Sequence, residues 1–224
     1  MADEAEAAAP ATEGKEAEAT APPAKAARKA PKVLFVLGLP GAGKGTQCAK
    51  VIEAFPEWAH VSAGDCLRAE RNNPESKDGA VINGLIKDGK LVPSAITCKL
   101  LQKAMQELRE EGKKCFLIDG YPRNIENDDT WLKEIGEDAN VLGVLLFEGE
   151  EKALMERLVG ATRGREDDKT EVIQRRFKSY HEDTMPVIER YKDKGLIFSI
   201  DGLPSPEEVW KETEKLISSF KDAD

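Results

Sequence analysis

An unbroken apolar run, Val33-Leu34-Phe35-Val36-Leu37, leads straight into Gly38-Leu39-Pro40-Gly41-Ala42-Gly43-Lys44-Gly45-Thr46, and a helical pattern follows from about Thr46 to Phe55. A run this short, wholly apolar and closed by glycine, reads as a strand buried on both faces. The glycines let the backbone wrap closely around an anion with its amide hydrogens pointing inward. The helix start adds the positive end of its dipole, and Lys44 adds a full charge able to reach terminal phosphates. Residues Gly41, Ala42, Gly43, Lys44, Gly45 and Thr46 are therefore the expected phosphate cradle, a P-loop. Gly45 stands where most P-loops carry the Ser or Thr that holds magnesium, and the hydroxyl comes one place later, at Thr46. The loop itself is not expected to ligate a metal directly.

From Lys32 onward strand and helix patterns alternate. Further strands are expected at His60-Val61, at Cys115 to Ile118 ending on Asp119, at Val141 to Phe147, and at Leu196 to Ile200 ending on Asp201. Apolar strands separated by helices imply an α/β fold: a parallel five-stranded sheet of the P-loop NTPase type with helices on both faces. Ligands of such sheets sit at the carboxyl ends of the strands, where both the glycine loop and Asp119 fall. Two segments read as inserts. Residues 62–92 form a charged helical excursion broken at Asn72-Asn73-Pro74, and residues 160–169 form a polar, glycine-hinged, exposed loop.

Residues 1–31 are Ala, Glu, Lys, Pro and Thr with almost nothing apolar and large, so they are expected to be a disordered tail ahead of a domain spanning 32–224. The tail has acidic residues and no apolar core, which fits neither a signal nor a transit peptide. Over its 224 residues the chain carries a net charge of -9, which argues against bulk affinity for nucleic acid or an anionic membrane. Any anionic ligand must meet a local cluster of Lys and Arg. No apolar run approaches the roughly 18 residues of a membrane span. The four cysteines (Cys48, Cys66, Cys98, Cys115) are scattered without a C-x-x-C pair and only His60 and His181 accompany them, so no zinc site is expected. The cysteine usage fits a reduced compartment, the cytoplasm first and the nucleus second. Nothing in the sequence demands more than a monomer.

Asp119 ends an apolar strand beside the P-loop, where a carboxylate can hold magnesium through water. Arg68, Arg123, Arg163, Arg165 and Arg176 recur in loops or near element ends. Forked guanidinium groups suit phosphate oxygens, and a site joining two polyanions needs several of them. No Ser-His-Asp, Cys-His or H-R-D arrangement supplies a base. An acceptor that is itself a phosphate needs none, because its oxygen is already an anion, and positioning with charge neutralisation suffices.

These motifs resemble the nucleoside monophosphate kinases of the adenylate kinase family: Gly-Ala-Gly-Lys-Gly-Thr-Gln at 41–47, Ser-Ala-Gly-Asp-Cys-Leu-Arg at 62–68, Gly-Lys-Leu-Val-Pro at 89–93, Asp-Gly-Tyr-Pro-Arg-Asn at 119–124, Gly-Arg-Glu-Asp-Asp at 164–168 and Thr-Met-Pro-Val-Ile-Glu-Arg-Tyr at 184–191. The resemblance implies a monophosphate-binding insert at 62–92, a short lid at 160–169, and transfer of the γ-phosphate of Mg-ATP to a monophosphate. Ala63 in place of Thr, and Asn124 and Asn127 with Trp131 downstream, resemble the UMP/CMP kinase branch, which implies UMP, CMP and dCMP as acceptors. An asparagine amide can match either pyrimidine edge by its orientation.

The resemblance assigns the triphosphate to the amides of 41–46 and to Lys44, with the backbone near Pro204 beside the adenine. It assigns the acceptor and transferring phosphates to Arg68, Arg123, Arg165 and Arg176. The acceptor base falls to Ala63, Lys90, Leu91, Val92 and Asn127, with Gly120, Tyr121, Pro122 and Asn124 around it. Family members commonly carry an arginine at the position of Val159; here Arg163 substitutes from a different place, or one donor contact is missing. Two other functions stay open on these residues: adenylate kinase, and a catalytically weakened nucleotide-binding regulator. No Asn-Lys-x-Asp motif supports a GTPase.

Overall fold

Val33, Leu34, Phe35 and Val36 are completely buried, which a strand achieves only when both faces of its sheet are covered. The computed structural model describes residues 29–88, 90–160 and 170–220. Its elements run β1 (Lys32–Gly38), α1 (Lys44–Ala54), β2 (Trp58–Ser62), α2 (Ala63–Asn72), α3 (Gly79–Lys87), α4 (Ser94–Glu110), β3 (Cys115–Asp119), α5 (Ile125–Glu134), β4 (Asn140–Glu148), α6 (Glu151–Gly160), α7 (Thr170–Ser179), α8 (Met185–Asp193), β5 (Ile197–Asp201) and α9 (Pro206–Ser219). The five strands are all parallel, in the order β2-β3-β1-β4-β5. The α/β sheet read from the sequence is thus the one observed.

The two-residue period of β1 divides the core in two. Val33, Phe35 and Leu37 point into a layer with Tyr121, Trp131 and Val187, while Leu34 and Val36 join Val51, Trp58, Phe147 and Ile217 on the opposite face. Phe35 meets the edge of the Trp131 ring at a centroid distance of 5.0 Å, in the T-shaped geometry that aromatic quadrupoles favour.

The helical excursion after β2 is α2 and α3, separated at the Asn-Asn-Pro break. α1 begins at Lys44, two residues before the expected start, because Gly43 caps it in the left-handed conformation at φ 84°. Arg176 lies in the last turn of α7. The expected lid lies outside the described residues except for Gly160, as does the expected tail except for its last three residues.

Candidate active site

Neighbours of β1 in the sheet come from later in the chain on both sides, so its carboxyl end is the switch point where open α/β sheets form crevices. A cavity of about 740 Å³ opens there. Residues 40–47 form one wall. Gly41 has φ 89°, and a Cβ on it would stand 2.7 Å from the Leu154 carbonyl oxygen, so the loop needs glycine at this point. No side chain caps α1, which leaves its first amides directed at the cavity as anion donors.

Five cations line this cavity among the described residues: Lys44, Arg68, Arg123, Arg157 and Arg176. They gather positive charge that a chain of net charge -9 otherwise lacks. The Lys44 ammonium donates to the carbonyls of Gly38 and Leu39 at 2.8 and 2.9 Å. Burial pulls its pKa down to about 8; Asp119 opposes the shift, and Arg176 and Arg123 add to it. Arg123 Nε donates to the Gly120 carbonyl at 2.7 Å, which folds its side chain back over the turn after β3. Arg68 pairs with Asp65 one helical turn away.

Asp119 ends β3 level with Val36 of β1. Burial pushes its carboxyl pKa up, but a hydrogen bond with His60 and the charges of Lys44, His60 and Arg123 outweigh this and hold it below the ordinary value. The His60 Nε2 to Asp119 Oδ2 distance is 3.3 Å. An ionised carboxylate on the cavity wall, with the Thr46 hydroxyl on the same cavity, fits a hard cation held through water.

A smaller cavity of about 80 Å³ adjoins the first and shares Gly64, Arg68, Leu91, Gly120, Arg123 and Arg176 with it. Ala63, Lys90, Val92, Tyr121 and Asn127 line only the smaller one. The Asn127 carboxamide is fixed: its Oδ1 accepts from Arg123 N–H at 3.0 Å, and its Nδ2 donates to Ser94 Oγ at 2.7 Å. Its orientation is thus set by protein neighbours, and a second amide hydrogen and a second oxygen lone pair remain for a ligand. Asn124 is the N-cap of α5, accepting from Asn127 N–H at 2.7 Å, and it lines neither cavity. Pro122, in a cis peptide bond after Tyr121, also lines neither. Pro204 lies on the large cavity as expected, whereas Arg163 and Arg165 lie outside the described residues.

Sequence reasoning missed three residues in or beside this region. Arg157 of α6 donates to the carbonyls of Gly202 and Leu203 at 2.8 Å each, fastening the turn after β5 to the cavity wall. Gly202 permits that closeness, since a Cβ there would stand 2.6 Å from the Ala42 carbonyl oxygen. Nothing local separates Arg157 from an ordinary surface arginine; a reading of α6 as the element leading into the lid was the available signal. His60 and Cys48 are the others. With Asp119 they bring one imidazole nitrogen, one thiol and one carboxylate within 4.8 Å of one another, although no zinc site was expected. Motif spacing could not reveal this cluster, because strand pairing and helix packing assemble it from three separate segments.

The family model described as adenylate kinase matches residues 36–196. The chain belongs to the adenylate kinase family. It is 42% identical over 190 residues to a uridylate kinase of Schizosaccharomyces pombe, covering 84% of this chain and 98% of that protein. It is 43% identical over 190 residues to a UMP-CMP kinase of Sus scrofa, covering 83% and 96%, and 45% identical over 190 residues to UMP-CMP kinase 3 of Arabidopsis thaliana, covering 85% and 91%. Two adjoining cavities at the P-loop, sharing Arg68, Arg123 and Arg176, are thus the main feature of this family member's surface among the described residues.

Proposed function

We propose that this protein is a UMP/CMP kinase, transferring the γ-phosphate of ATP to a pyrimidine nucleoside monophosphate to give the diphosphate. The observation that carries the reading is a cation-lined cavity built on a P-loop and continuous with a second cavity under the 62–92 insert. The names of its relatives, uridylate kinase and UMP-CMP kinase, support the pyrimidine acceptor.

The amides of 41–46 and Lys44 hold the triphosphate, and Pro204 with the turn fastened by Arg157 borders the donor base. Arg68, Arg123 and Arg176, shared by both cavities, hold the acceptor phosphate in line with the transferring group. Ala63, Lys90, Leu91, Val92 and Asn127 surround the acceptor base, and the fixed Asn127 amide presents one orientation to it. From the 160–169 lid, Arg163 serves the donor side and Arg165 the acceptor and transferring phosphates. The acceptor phosphate is an anion near neutral pH, so the site positions and neutralises without deprotonating. Asp119 would hold magnesium through water, and the ion supplies charge neutralisation on the phosphate oxygens. The insert and lid close over the ligands and keep water from the transferring group. The ligands are small nucleotides and the chain acts as a monomer; a reduced, cytoplasmic setting suits its four cysteines.

A coupled assay with ATP and either AMP, UMP or CMP tests the reading. UMP and CMP are expected to be phosphorylated far faster than AMP, and Lys44→Ala to lower turnover by roughly 10²-fold or more in a folded protein. A strong AMP preference would reject the pyrimidine assignment.

A further inference from the structure

Cys48 lies in the first turns of α1 and His60 in β2, while Asp119 closes β3. One ligand atom of each, sulfur, imidazole nitrogen and carboxylate oxygen, lies within 4.8 Å of the other two. The set mixes one soft and one intermediate donor with one hard donor. Magnesium prefers an octahedron of oxygens and keeps its water, so thiol and imidazole are poor partners for it. Zinc-class ions take sulfur, nitrogen and oxygen together in a tetrahedron. Around such an ion, nitrogen and oxygen donors with bonds of about 2.0–2.1 Å stand about 3.3 Å apart. The His60 Nε2 to Asp119 Oδ2 separation is 3.3 Å. The sulfur stands no more than 4.8 Å from either, against about 3.5 Å around such an ion, so an inward movement of at most about 1.3 Å completes the set.

We propose that Cys48, His60 and Asp119 form a binding site for one thiophilic divalent cation of the zinc class, which inhibits the enzyme when filled. His60 and Asp119 line the cavity, whereas Cys48 is buried just beneath it, so the ion enters from the cavity and its fourth position faces water or a phosphate oxygen. On binding, the Cys48 S–H bond breaks, its electron pair passes to the metal and the proton leaves to solvent. The ion takes the Asp119 carboxylate out of nucleotide chemistry and sets a second positive charge beside Lys44. Inhibition rests on the role proposed above for Asp119; metal binding does not.

Cobalt(II) added to the full chain is the direct probe. One cobalt per chain is expected, with a near-ultraviolet thiolate-to-cobalt charge-transfer band that zinc(II) displaces. Cys48→Ser is expected to lose the band, and His60→Asn to weaken binding roughly 10–100-fold. Cys48→Ala repeats the measurement if serine is poorly tolerated in the apolar setting, with circular dichroism checking each fold. In the kinase assay at excess Mg-ATP, zinc(II) is expected to inhibit the wild type reversibly on chelation. Cys48→Ser keeps its basal rate and needs about 10–100-fold more zinc(II) for the same inhibition. A wild type without the thiolate band, or one binding cobalt no better than Cys48→Ser, overturns the site. A thiolate band without inhibition upholds the site, overturns its inhibitory action and removes Asp119 from the proposed mechanism.

Discussion

Lys44 shows what a single residue contributes and how its surroundings alter it. Its ordinary value of 10.5 falls to about 8, chiefly through burial. Because the folded value lies below the unfolded one, the buried charge costs stability at every pH under about 8, and that cost is relieved as pH rises from about 8 toward 10.5. The proposed function runs the other way, since in it Lys44 holds the triphosphate through its charge. The alkaline limb of kcat/KM for ATP is therefore expected near pH 8, and that of kcat higher, because bound triphosphate retains the proton. Lys44→Arg, always charged, is expected to move the limb out of range at some cost in turnover. A wild-type profile flat to pH 10 would remove the lysine charge from ATP binding. Lys44 and its neighbours were legible in the sequence because the cradle is local, made by consecutive residues after a strand. Arg157 was not, since its carbonyl partners Gly202 and Leu203 lie more than 40 positions away.

At the scale of elements, the link between α5 and α8 is one that no motif announces. Asp128 of α5 is completely buried; it accepts from Arg190 at 2.7 Å and from the Tyr191 hydroxyl at 2.8 Å, both from α8. Burial, and then the hydrogen bond to Asp128, pushes the Tyr191 hydroxyl pKa well up. Asp128→Ala leaves the buried Tyr191 hydroxyl without its acceptor while Arg190 keeps Asp129, so it is expected to destabilise the protein by about 1–3 kcal/mol in urea unfolding. Asp128→Asn, which keeps an acceptor, is expected to lose less, and equal losses would show that charge rather than hydrogen bonding holds the helices. The strands themselves were readable to within a residue or two, because apolar runs bounded by glycine and charge admit few alternatives. Helix starts were less so: Gly43 sets the start of α1 through its backbone conformation, which a side-chain pattern does not express.

For the whole molecule, the decisive property is that two adjoining cavities share one set of cations. A saturating ligand at about 100 times its Kd stabilises the native state by about 2.7 kcal/mol, which for a domain of this size raises Tm by roughly 5–10 °C. A non-transferring ATP analogue with UMP is expected to raise Tm more than either alone, read by differential scanning fluorimetry. A shift with the pair no larger than with one nucleotide would mean that the two ligands compete for a single place.

The amino-acid sequence by itself determined the phosphate cradle, the alternation of strand and helix, and hence a parallel sheet with its ligands at the carboxyl ends. Each of these follows from neighbouring residues, through short-range sterics and the period of apolar burial. Only the tertiary structure decided the orientation of Asn127, the fastening of the β5 turn by Arg157, the Asp128–Tyr191 bond and the meeting of Cys48 with His60 and Asp119. Those depend on the strand order β2-β3-β1-β4-β5 and on how helices settle against it. Contacts between distant segments arise from packing the whole chain at once, and a donor or ligand atom gains its partner only when that packing is complete.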